Sequence, residues 1–288
     1  MQDFIVTEKL TKQYADTKAI NNLDLSVRKG EIFGFLGPNG AGKTTTIRVL
    51  TTLTKPTGGS AFVGGFDVVN EPEKVKEVIG VVQQHISLDR DLTVKENMEF
   101  HARIHRLESS KRKQRISELL GYVELTDSAD KMVDALSGGM KKKAAIICSM
   151  LHEPSVLFLD EPTVGLDPQA RRKLWDLIRR LNLDGTTIFL TTHYIEEAEA
   201  LCGRVGIMHH GQLIALDTPQ HLRKKLGQIT VETLVDNKET HYQYFPDRAQ
   251  ATLHVQTLSA DAKTIIIRET NLEDVFVEQT GEKVGGMQ

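Results

Sequence analysis

A chain of 288 residues, 40% apolar and 26% charged, can build one sizeable hydrophobic core and a smaller second unit. Its 36 basic and 39 acidic residues leave a net charge of -3, which gives no electrostatic case for nucleic acid as a partner. Apolar runs such as Ala144–Leu151 fall far short of the ~20 residues of a membrane span, and the opening MQDFIVTEKL has neither the basic start nor the apolar core of a signal peptide.

Three strand-like runs come first, Phe4–Leu10, Leu23–Val27 and Glu31–Leu36, with Gly and Asn turns between them. Gly37 to Thr44, GPNGAGKT, breaks the third run, and Lys43–Leu53 then reads as a helix, the order a phosphate loop requires. In the loop Gly37, Pro38, Asn39, Gly40, Ala41 and Gly42, the glycines let successive N–H groups point at one anion, and the following helix adds its positive end. Lys43 can reach β- and γ-phosphates, the Thr44 hydroxyl can ligate Mg²⁺, and Thr45 is placed with the loop among the nucleotide-binding residues. Val78–Val82 is a further strand, ending at Gln83 and Gln84. From about 88 to 135 the chain reads as helical, with Thr93 and Glu96 as a capping box ahead of Met98, Phe100 and Ala102. The basic run Lys111, Arg112, Lys113 and Arg115 reads as a solvated helix face.

Ser137, Gly138 and Gly139, in LSGG at 136–139, open a helix that runs to about 152, with Ser137 as a natural N-cap. Lys141, Lys142 and Lys143 fall in its first turn, where positive charge opposes the helix dipole, so an anion near this helix start is expected. Strand 156–160, helix 169–182, strand 186–191, helix 194–201 and strand 204–208 then alternate, which implies a mostly parallel sheet covered on both faces. Asp160 ends the first of these strands at the carboxyl edge, beside the phosphate loop, where its carboxylate can hold a Mg²⁺ shell. Glu161 leans toward the γ-phosphate, placed to orient or deprotonate an attacking water. The step at His210–Gly211 folds Gly206–His209 onto Gln212–Leu216 as a hairpin, not a metal site. Cys148 and Cys202 read as buried thiols of a reducing cytoplasm. Beyond Pro219–Gly227 the period-two runs Thr230–Val235, Tyr242–Phe245, Thr252–Leu258 and Thr264–Arg268, closed by amphipathic Asn271–Thr280, read as a small α+β unit with its own modest core and no catalytic set.

The phosphate loop, LSGG, LFLDEP from Leu157 to Pro162, GLDP at 165–168 and TTH at 191–193, in that order, resemble the ATP-binding cassette (ABC) ATPases over about residues 3–222. The fold expected is α/β: a P-loop NTPase-type, mostly parallel sheet with an N-terminal antiparallel β subdomain and a helical subdomain at about 88–150, all within a nucleotide-binding domain at 1–222, plus a small α+β C-terminal domain at 223–288. The resemblance implies that Tyr14 stacks on adenine, that Gln84 touches Mg²⁺ and the water and senses a membrane partner, and that Asp167 communicates across a dimer. It implies His193 at the γ-phosphate, a catalytic set of Glu161, His193, Gln84 and Lys43, and ATP with Mg²⁺ as cofactors, the metal held by Thr44, Gln84 and Asp160. It also implies that Ser137–Gly139 of one subunit close on the ATP held by the other, making a homodimer closed by ATP.

Met140 stands where most members carry Gln. LSGGM with its basic sequel, LTVKENMEFHARIH at 92–105 and LEDVF at 272–276 resemble the daunorubicin-type drug-resistance exporter ATPases, in which the membrane domain is usually a separate chain. The expectation is therefore an ATP-hydrolysing motor, peripheral on the cytoplasmic face of the cell membrane, beneath a polytopic permease that docks around Gln84 and Asp89–Glu96. An importer ATPase with a regulatory C-terminal domain is one alternative. A soluble cassette acting on ribosomes or DNA is another, against which stand the single cassette, the lack of sustained heptads and the absence of a basic surface signal.

Overall fold

The structure, a computed structural model, describes residues 3–85, 87–235, 239–258 and 262–281. Strands β1 (Asp3–Tyr14) and β2 (Thr17–Arg28) form an antiparallel pair, and β3 (Ile32–Leu36), buried along its length, delivers the chain to the loop before helix α1 (Lys43–Leu50). Strands β4 (Gly58–Val63) and β5 (Phe66–Asp67) complete a four-stranded antiparallel sheet in the order β2-β1-β4-β5. Helix α2 (Pro72–Val78) leads into β6 (Ile79–Val82), and the helical part follows as α3 (Val94–Ile104), α4 (Ser109–Tyr122) and α5 (Gly138–Ser149). Then come β7 (Val156–Asp160), α6 (Pro168–Leu183), β8 (Thr187–Thr192), α7 (Ile195–Leu201), β9 (Arg204–His209), β10 (Gln212–Asp217) and α8 (Pro219–Leu226). The central sheet runs β10-β9-β3-β8-β7-β6, parallel throughout except for the β9–β10 hairpin.

The two-residue strand period builds two cores from the same strands. Phe33, Phe35, Phe158 and Phe189 point to one face, against α1 and the antiparallel sheet, with ring centroids 5.4 to 6.4 Å apart. Their neighbours Ile32, Leu36, Leu157, Leu159, Ile188 and Leu190 point to the other face, against α5 and α6. A parallel strand buried on both sides must be apolar at nearly every position, and IFGFL and VLFLD are.

The C-terminal part holds β11 (Ile229–Val235), β12 (Glu239–Phe245), α9 (Arg248–Thr257), β13 (Ala262–Glu269) and α10 (Leu272–Thr280), with the sheet order β12-β11-β13. The strand expected at Thr252–Leu258 is instead the second half of α9. Ala251, His254, Val255 and Leu258 face inward while Thr252, Leu253 and Gln256 face water, a helical spacing, and Asp247 caps the helix by accepting from Gln250 N at 2.9 Å. The core there is also not wholly its own: Leu272, Val275 and Phe276 of α10 join the main core through α7 and α8. The first helix stops at Leu50, three residues short of the expected Leu53. Residues 1–2 and 282–288, the ends of the two expected domain ranges, lie outside the described residues.

Between α3, α5 and β6 the His105 and His152 rings stack face to face, 3.7 Å apart, in a groove that His101 also lines. His152 Nε2 lies 2.8 Å from the carbonyl of Ile79, so that nitrogen carries the proton, and buried Nδ1 has no hydrogen-bond partner among the described residues. Burial, with His105 close by, pushes its pKa down to about 4. The folded state then refuses a proton that the unfolded chain accepts below its ordinary value of 6.5, so stability present above that value drains away as pH falls toward 4. Melting temperature should fall on acidification from pH 6.5 to 5 less steeply in His152→Gln, whose amide can still donate to Ile79, than in the wild type; equal slopes in thermal melts would exclude His152 as the source.

Candidate functional site

Four strand ends of the central sheet converge: β3 on Gly37, β6 on Gln84, β7 on Asp160 and β8 on His193. The loop after β3 needs glycine for steric reasons. A Cβ on Gly37 would lie 2.3 Å from the Met208 carbonyl oxygen, and one on Gly42 (φ 110°) would lie 2.1 Å from that of Ala19. The hairpin tip supports the loop, since Gly211 N donates to Ala41 O at 3.0 Å.

Lys43 is 5% exposed and turns back on the loop, with Nζ donating to Gly37 O at 2.7 Å and Pro38 O at 3.1 Å, and lying 3.6 Å from Glu161 Oε1. Burial lowers the pKa of its ammonium, while Glu161 and Asp160 oppose the shift. Thr44 Oγ1 donates to Asp160 Oδ1 at 3.3 Å, and Thr191 Oγ1 donates to the same oxygen at 2.5 Å. Glu161, nearly buried, sits at φ 47°, a left-handed conformation that costs a non-glycine residue energy. It is held there by its N–H, which donates to both the carbonyl and the hydroxyl of Thr191 at 3.1 Å. Gln84 Nε2 reaches Glu161 Oε2 at 3.4 Å, and His193 Nδ1 stands 3.2 Å from that oxygen without hydrogen-bond geometry.

A cavity of about 410 Å³ opens beside this cluster, lined by Thr44, Gln84 and Asp160 among others. A larger one, about 470 Å³, lies at the opposite, amino ends of the strands among Lys29, Arg115, Tyr122 and Asp184, away from the phosphate loop. Among the described residues no group of three or more His, Cys, Asp or Glu side chains can hold a metal. The neighbouring Thr44 hydroxyl and Asp160 carboxylate nevertheless fit Mg²⁺, which characteristically takes one or two protein oxygens and completes its shell from phosphate and water.

Ser137 caps α5, its hydroxyl accepting from Met140 N at 3.3 Å. The three lysines of its first turn each have a protein partner. Lys141 Nζ donates to Asp134 O at 3.0 Å, Lys142 to Gln84 O at 2.8 Å and Lys143 to Val123 O at 3.1 Å. Long side chains can leave the helix start and take carbonyls elsewhere, an option that spacing alone does not reveal. Among the described residues no hydrogen bond joins Ser137–Gly139 to Gly37–Thr45 of the same chain. Asp167 caps α6, accepting from Gln169 and Ala170 N at 2.9 Å. Tyr14, at the end of β1, is 44% exposed, and Lys12 Nζ lies 4.9 Å from its ring centroid. Both cysteines are buried, and burial pushes the Cys148 thiol up to about 12. Thr191, inside the TTH motif, holds both carboxylate-bearing positions, a role that the motif's spacing does not reveal.

The pattern of the family described as ABC transporter matches residues 20–164. The chain belongs to this family. The daunorubicin resistance ATP-binding protein DrrA2 of Streptomyces coeruleorubidus is 36% identical over 304 residues, covering 96% of this chain and 94% of the relative. The Nod factor export ATP-binding protein I of Cupriavidus pinatubonensis is 38% identical over 297 residues, covering 96% and 90%. Among solved structures, a dimeric ATP-binding cassette in a post-hydrolysis state, bound to ADP and Pi, superposes with TM-score 0.67 at 27% identity over 74% of this chain and 98% of that one. The resemblance to daunorubicin-type ABC ATPases and the α/β fold with a mostly parallel sheet both stand. As an ABC ATPase the chain is of a kind that binds and hydrolyses ATP. Among its described residues no helix is long and apolar enough to cross a membrane.

Proposed function

We propose that the chain is the motor of an exporter, hydrolysing ATP to drive transport through a separate permease at the cytoplasmic face of the membrane. The observation that carries this is the convergence of Lys43, Thr44, Asp160, Glu161, Gln84 and His193 at one sheet edge. In this reading Gly37–Thr45 cradle the phosphates, Lys43 gives up its loop carbonyls for them, and Tyr14 meets the adenine. Thr44, Gln84 and Asp160 hold Mg²⁺, which when bound offsets phosphate charge. Glu161 accepts the proton of the attacking water, and Gln84 and His193 hold that water and the γ-phosphate in line. Two copies close with Ser137–Gly139 and Asp167 of one facing the nucleotide of the other. Residues 1–222 serve as the nucleotide-binding domain and 223–288 as a structural or dimer-stabilising unit. The direction of transport is supported by the relatives, one named for drug resistance and one for Nod factor export.

The permease docks around Gln84 and Asp89–Glu96. This segment is clamped to α3: Asn97 Oδ1 accepts from Asp89 N, and its Nδ2 donates to Asp89 O, both at 2.9 Å. A cavity of about 430 Å³ lies between Leu88, Leu92 and Phe100, and Phe100 and Ile104 are more than half exposed on the same helix. Cysteines placed at 89 and 91 should cross-link to a polytopic membrane protein in native membranes, without competition from buried Cys148 and Cys202. Charge reversal at Asp89 and Asp91 should uncouple transport while basal hydrolysis stays largely intact. Capture of ribosome or DNA instead would favour a soluble cassette.

A further inference from the structure

Lys142 is 4% exposed and lies one turn into α5, the helix that Ser137–Gly139 begin. Among the described residues its ammonium makes one hydrogen bond, to the Gln84 carbonyl at 2.8 Å, although it has three donors to place. Lys141 and Lys143 each have a carboxylate within 4.0 Å; among the described residues Lys142 has none. Asp160, Glu161 and Glu197 are near enough to favour its charge against the burial that opposes it. A buried cation satisfied by a single carbonyl is costly to keep. What the bond does is mechanical. It fixes the backbone of Gln84, whose side chain reaches Glu161 Oε2 at 3.4 Å. An unbroken path thus runs from the helix start through Lys142 and Gln84 to Glu161.

We propose that Lys142 is a positioning residue that links the two nucleotide sites of a dimer: when Ser137–Gly139 engage the partner's nucleotide, α5 draws on Gln84 through Lys142 and sets Gln84 against Glu161 of the same subunit. This rests on the dimeric reading above.

The test is a double-mutant cycle in the full chain. Lys142→Met should lose about tenfold or more in turnover at saturating ATP, with nucleotide affinity changed less than about threefold, and Lys142→Arg should recover to within about threefold of wild type. In a Gln84→Ala background, where the reach to Glu161 is already gone, Lys142→Met should cost less than about a further twofold. Losses that multiply, or wild-type turnover in Lys142→Met, would overturn the proposal. Thermal melts check folding, and if the methionine variant does not fold, Lys142→Gln carries the same comparisons. Glu161→Gln is measured alongside. If it hydrolyses normally, the reading of the site fails; if it is inactive while Lys142→Met is unimpaired, only the role of Lys142 fails.

Discussion

Glu161→Gln should hold ATP about as well as the wild type and lose about 10²–10⁴-fold in turnover, the range for a lost general base. The substitution is clean for structural reasons. What holds Glu161 in its left-handed backbone conformation is its N–H, bonded to Thr191 O and Oγ1, and glutamine keeps that donor. Lys43 retains both loop carbonyls, Gly37 O and Pro38 O, so the phosphate cradle is undisturbed. What is lost is the basic oxygen and, with it, the negative charge that faces Lys43 at 3.6 Å. Single-turnover hydrolysis together with a nucleotide-binding titration separates the two effects; hydrolysis near the wild-type rate would remove Glu161 from the chemistry.

Gly138→Arg should leave a folded monomer that binds ATP, and should abolish ATP-driven dimerisation along with more than about 10²-fold of turnover. Gly138 is exposed, and a Cβ there meets Leu166 Cδ2 at 3.4 Å, an ordinary contact, so a side chain can leave the backbone here toward solvent. The side chain would then occupy the helix start that the proposed dimer presses onto its partner's phosphates. Sizing with ATP, in the Glu161→Gln background that prevents turnover, reads the effect directly. A dimer of normal affinity would mean that Ser137–Gly139 do not act across subunits.

The site was more legible in the sequence than the packing was. A phosphate loop announces itself because its glycines, lysine and hydroxyl are dictated by local geometry, and the position of Asp160 was legible because the last residue of a parallel strand lies at the carboxyl edge of the sheet. The partners of the lysines at 141–143 were not legible, because their ends lie several bonds from the backbone and the acceptors they reach, on Asp134, Gln84 and Val123, are set by tertiary structure. Thr252–Leu258 misled because an alternating segment with an exposed Leu253 satisfies the strand period by accident, while the decisive inward set begins at Ala251. The shared core of α10 was invisible for a related reason: an amphipathic helix shows which face it buries, not against what.

Leu272, Val275 and Phe276 complete an apolar core whose other walls come from strands and helices made much earlier in synthesis. A polypeptide leaving the ribosome with its amino end first can form the sheet, the phosphate loop and the carboxylate cluster while a seam along α7 and α8 still faces water, since α10 follows them in the chain. Closure of that seam is then the late event of biogenesis, and the half-built molecule, with an exposed apolar groove, is the form at risk of chaperone capture or aggregation. On this account α10 acts as a latch over that seam, and a truncation before Leu272 is expected to lower the yield of protein before it alters any catalytic constant.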